Sequence, residues 1–135
     1  MRTFAVVALL ATFPACKAQV PEPVSTRVQT EIFDDVPAPK TAIYRDRGAE
    51  SFSFRTTGFR CGRFVYDYDD SEESAVRFFK ATMTRPPYSW KLTNEERDEE
   101  GAARLTFVKN DDRCTVNVLR IRGSIVLTVR VNYRK

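Results

Sequence analysis

Five carboxylates crowd residues 67–73, "DYDDSEE", and oxygen ligands at that density are what a hard cation or a pair of acid–base catalysts would need. The run lacks the central Gly and closing Glu of a calcium-binding loop. It stands where a helix should begin, and there carboxylates meet unpaired backbone amides and the positive end of the helix dipole. The helix start accounts for the run, so neither a metal nor a cofactor is expected. The chain has no histidine, which removes the commonest acid–base group and the usual partner of a Ser or Cys nucleophile. No G-x-S-x-G, no H-E-x-x-H and no Cys/His zinc spacing occurs. We expect a protein that is not an enzyme.

The remaining candidates are arginines. Arg104, Arg130 and Arg134 alternate outward on predicted strands, and Arg120, Arg122 and Lys135 lie near strand ends. A solvated face is the plain account of such a set. The sharper account is a binding face for an anionic surface or an acidic envelope protein. "CGRFVYDY" mixes basic and aromatic residues as an RNA-recognition strand does. Asp67, however, takes the place of the final aromatic and no second helix follows. With a net charge of only +4 for 135 residues, nucleic acid is not expected as a partner.

These residues need elements to hold them. Charged residues make up 30% of the chain and aromatics 12%, a globular composition. Residues 51–55, "SFSFR", alternate, Thr57 and Gly58 turn the chain, and "FRCGRFVY" continues it, which reads as a hairpin. Next, Asp70 or Ser71 can cap a helix on which Ala75, Val76, Phe78, Phe79, Thr82 and Met83 share one arc, opposite Glu73, Arg77 and Lys80. Pro86 and Pro87 end it. Trp90 and Leu92 open a strand, and the acidic "NEERDEEG" reads as a loop. Then "ARLTFVK", "CTVNVL" and "SIVLTVRVNY" alternate in turn, the last with Ile125, Leu127, Val129, Val131 and Tyr133 on one side. Short connections make this an antiparallel meander. The expected fold class is α+β: an antiparallel sheet of about five to six strands, one face under a single amphipathic helix, in the order ββ-α-ββββ.

The chain opens "MRTFAVVALLATFPAC". One positive residue, an apolar run over residues 4–13 and a small residue before Cys16 make the layout of a secretory signal. The run is shorter than the ~20 residues of a membrane-spanning helix. In "FPAC", Ala15 and Cys16 resemble the lipobox of a bacterial lipoprotein precursor, with Phe13 in place of the usual Leu. The resemblance implies cleavage after Ala15 and a diacylglyceryl thioether on Cys16, commonly with a further acyl chain on the new amino group. Two or more chains, at ~0.8 kcal/mol per buried methylene, hold a protein stably to a bilayer. A cut near Gln19 without lipid, or no cut, are the alternatives. With Cys16 acylated, Cys61 and Cys114 remain as a candidate disulfide pair, or as two buried free thiols.

The expected organisation is therefore a signal peptide over 1–15, a lipid attachment site and extended tether over 16–30, and one α+β domain over 31–135. The Pro-spotted "KAQVPEPVSTRVQT" supplies the tether, and Pro37 and Pro39 an extended lead-in to the domain. "DDVPAP", "GRFVYDY", "FFKATM", the Trp90 strand and "LTFVKNDDRC" together resemble small uncharacterised bacterial envelope lipoproteins over roughly residues 31–133. Where that pattern has Gly before Trp, this chain has Ser89. The resemblance implies an envelope address and no chemistry. Lys17 after the lipidated position leans toward the outer membrane. The expected function is a lipid-anchored, non-catalytic binding or accessory module, tied to the membrane through Cys16. The alternative is a carrier of a small apolar ligand, with a pocket near Phe78, Phe79, Trp90 and Phe107.

Overall fold

The structure is a computed structural model and describes residues 32–45 and 50–133. The expected leader, Cys16, the tether and Arg134 lie outside the described residues.

Among the described residues, seven strands and one helix follow one another as β1 (Ile43–Tyr44), β2 (Phe52–Arg55), β3 (Arg60–Tyr68), α1 (Glu72–Met83), β4 (Lys91–Arg97), β5 (Ala103–Lys109), β6 (Asp112–Ile121) and β7 (Ser124–Tyr133). All pairings are antiparallel, in the order β1-β3-β7-β6-β5-β4, with β2 beside β1 on the outer edge of β3. The α+β class, the single helix and the C-terminal meander are as the periodicity implies. The chain leaves β3, crosses the sheet as α1 to the far edge, and returns strand by strand until β7 closes against β3.

Helix α1 starts where its sequence provides a cap: the Ser71 hydroxyl accepts the Ser74 amide at 3.1 Å, and Glu72 and Glu73 fill the first turn. Its Ala75, Val76, Phe79 and Met83 are buried against β5 and β6. They meet a covered sheet face made by Phe64 and Tyr66 of β3, Leu127, Val129 and Val131 of β7, Cys114, Val116 and Val118 of β6, and Leu105 and Phe107 of β5. Burying each large side chain stabilises the fold by about 1.5–3 kcal/mol. Gly62 also lies on this face, where an added Cβ would come within 2.8 Å of Phe64 Cζ and 3.1 Å of Phe33 Cε2. The missing side chain makes room for the edge-on Phe33–Phe64 ring pair, with centroids 5.3 Å apart.

Two local expectations are corrected. The stretch before β1 folds into turns rather than an extended lead-in: the Val36 amide donates to the Phe33 carbonyl and the Ala42 amide to that of Pro39. The first half of "NEERDEEG" belongs to β4, and only residues 98–102 turn, closed by Asp98 Oδ1 accepting the Glu100 and Ala102 amides. Charge on an exposed edge strand, with a register shift between Leu92 and Asn94, suits a position that must not recruit another strand. Arg97 of β4 donates to Glu73 at 2.8 Å, which ties this edge strand to the first turn of α1.

Candidate functional site: the open face of the sheet

Strand alternation gives the sheet a second face, and among the described residues no helix or strand packs on it. Registered partners on neighbouring strands share a face, so its rows read directly from the pairing. One row runs Phe52, Arg63, Arg130, Thr115, Thr106 from β2 through β3, β7 and β6 to β5. Beyond it lie the pair Phe54 and Cys61 and, on the other strands, Asn132, Arg113 and Val108. A third holds Val65, Thr128, Asn117, Arg104 and Glu96. Toward the β1 edge, where Ser51 Oγ accepts the Val65 amide and the Arg45 amide donates to the Val65 carbonyl, Val65, Val126 and Thr128 are buried. Arg104, Arg113 and Arg130 are exposed.

Of the three arginines singled out by the sequence, Arg104 and Arg130 share this face, but β6 and one row separate them. Arg104 is engaged: its Nε donates to Asn117 Oδ1 at 3.1 Å, and Glu96 lies 4.0 Å away. Arg134 lies outside the described residues. Arg120 turns to the other side, where it binds Glu72 at the helix start through Nε at 2.7 Å and Nη2 at 2.8 Å. The arginines that do join Arg130 are Arg63, directly opposite it, and Arg113, diagonal to it. Neither was singled out from sequence. The signal was present in β3, where Gly62, Phe64, Tyr66 and Tyr68 alternate with Arg63; what the spacing of one strand lacks is the identity of its neighbour.

The disulfide expectation is corrected. Gly62 pairs with Val131 and Val131 with Cys114, so Cys114 is on the covered face and Cys61, one residue along, is on the open face. Strand β7 lies between them, and two strand spacings of about 4.8 Å exceed the roughly 7 Å that a disulfide can span. Both are free thiols, Cys61 half-buried and Cys114 buried. Burial pushes the Cys114 thiol well above its ordinary value, which keeps it protonated and unreactive.

A second polar cluster, at the β3 start, ties down the segment before β1. Arg60 grips Asp35 through Nη1 at 2.6 Å and Nη2 at 2.8 Å, while its Nε donates to Asp112 at 2.7 Å. Lys109 Nζ adds a bond to Asp35 at 3.2 Å, and the Trp90 indole donates to the Asp35 carbonyl at 2.7 Å. The Arg60 guanidinium also lies 4.9 Å from the Phe33 ring centroid and 5.8 Å from that of Trp90. Burial works to raise the Asp35 carboxyl, but the bonds and charges of Arg60 and then Lys109 outweigh it and hold the group below its ordinary value. Every member has a partner within the cluster, so its chemistry is structural.

The acidic run disperses in the same way. Asp67 pairs with Arg45, Asp70 accepts from the Ser71 amide and the Ser74 hydroxyl, and Glu72 and Glu73 hold Arg120 and Arg97. Among the described residues, no group of three or more metal-ligating side chains is placed to hold an ion. The aromatics of the carrier reading belong to the core: Phe79, Trp90 and Phe107 are buried and Phe78 packs half-buried beside them. None of these four lines the surface clefts of about 420, 440 and 340 Å3 that open beside α1, at the β2–β3 turn and at the β4–β5 edge. Compared with known proteins, the chain matches no family model, no curated protein and no solved structure.

Proposed function

We propose that this chain is a lipid-anchored protein of the cell envelope that acts as a non-catalytic binding or accessory module, with the open sheet face as its contact surface. The observation that carries the contact surface is the set Arg63, Arg113 and Arg130 on that face, whose side chains form no hydrogen bond or ion pair among the described residues. Five other described arginines do meet carboxylates: Arg45 meets Asp67, Arg60 meets Asp35 and Asp112, Arg97 meets Glu73 and Glu95, Arg104 meets Glu96, and Arg120 meets Glu72. The anchor rests on the "FPAC" layout and the residues before it. A chain without histidine supports a binding role over a catalytic one.

The anchor is tested in bacteria fed an alkyne-bearing fatty acid. The protein should take up the label, sediment with membranes and yield an amino-terminal peptide that begins at acylated Cys16. Cys16→Ser should abolish all three. A membrane-free protein that retains Met1 and carries no acyl mass overturns the anchor.

A further inference from the structure

We propose that Arg63 and Arg130, flanked by Arg113 and Thr115, form a binding site for a phosphate-monoester oxyanion. It rests on the reading of the open face as the contact surface and names what that face takes.

Arg63 of β3 and Arg130 of β7 are registered partners, which puts their Cβ atoms about 4.5–5.5 Å apart on one side of the sheet. Like charges so placed oppose strand pairing, and a sheet normally answers them with a carboxylate. Among the described residues, two carboxylates of the same face are held elsewhere, Asp67 by Arg45 and Glu96 beside Arg104. Arg63 Nε is buried and meets no acceptor among the described residues. A guanidinium N–H withdrawn from water without an acceptor is costly, so the pair is built to receive one.

The donor set selects the ligand. Each guanidinium is a planar fork that matches two oxygens of a carboxylate or phosphate. Thr115 stands next to Arg130 in the row, and Arg113 lies diagonal to it at about 7–8 Å between Cβ atoms. A carboxylate carries one charge, which leaves one of the two guanidinium charges unanswered. A phosphate monoester has three free oxygens and nearly two charges at neutral pH, enough for both forks and the threonine hydroxyl together.

The test uses the full-length chain in neutral detergent, with the Nε–H resonances of Arg63 and Arg130 followed by NMR. One arm adds inorganic phosphate. The other dopes the micelles with phosphatidic acid, which carries the same monoester on a lipid, against phosphatidylcholine as control. Saturable shifts at both arginines are expected in at least one arm, and Arg130→Gln, at an exposed position, should weaken binding about tenfold. Arg63→Gln should do the same. Arg85→Gln, beyond the end of α1, should leave binding unchanged. A response to free phosphate assigns a soluble ligand, and a response to phosphatidic acid alone assigns a headgroup. No saturable shift in either arm, or equal binding by Arg130→Gln and the parent, overturns the site. Acylated Cys16 with silent arginines removes this site and keeps the anchor; shifting arginines without acyl mass do the reverse.

Discussion

Gly62 shows how one missing side chain arranges the core above it. Glycine inside a strand ordinarily loses about 0.5–1 kcal/mol against alanine, so replacement at an unconstrained position would stabilise. Here the sign reverses, because a methyl would enter the Phe64 and Phe33 rings, and overpacking a filled core costs about 1–3 kcal/mol. Gly62→Ala should therefore lower the unfolding midpoint in denaturant with an unchanged slope. A midpoint at or above the parent's would show that the rings yield freely. Ser89 is the opposite case, a residue at φ 55° in the left-handed region that suits glycine. Neither local geometry is legible in the sequence. A glycine within an alternating run announces a close approach but not to what, and Phe33 arrives from a segment with no periodicity of its own.

At the scale of elements, alternation was informative within each strand and silent between strands. The covered face of β7, the arc of α1 and its Ser71 cap follow from residues adjacent in sequence, and those were readable. The row from Phe52 to Thr106 depends on β3 finding β7 across some sixty residues, and pairing over that distance leaves no local mark. The arginine set is therefore half visible: Arg130 stands out by spacing, while Arg63 gains meaning only through its partner. The cysteines carry the same lesson. Two thiols on strands look bridgeable until register puts them on opposite faces with β7 between. Brief alkylation of the folded, non-reduced protein should modify Cys61 within minutes and spare Cys114, which should react only after denaturation, as read by peptide mass. A peptide linked through Cys61 and Cys114 would overturn the register.

Across the whole molecule, the Asp35–Arg60–Asp112 cluster joins the segment before β1 to the ends of β3 and β6. The Asp35 carboxyl is held below its ordinary value in the folded chain, so its contribution is complete above the unfolded value of about 3.9 and is lost as pH falls through the folded one. Asp35→Asn should cost about 2 kcal/mol at neutral pH. Its melting temperature should also fall less steeply than the parent's between about pH 5 and 2. Parallel curves would show that Asp35 carries none of the acid sensitivity. The cluster escaped sequence reading because its four charges come from residues 35, 60, 109 and 112, which share no motif. The seam between β3 and β7 has one more consequence, in time. The strand at the middle of the body waits for the last one made, so no earlier stopping point offers the ribosome's product a finished shape. Until residue 131 arrives, β3 lacks its inner neighbour and the sheet of a shorter polypeptide is left in two pieces.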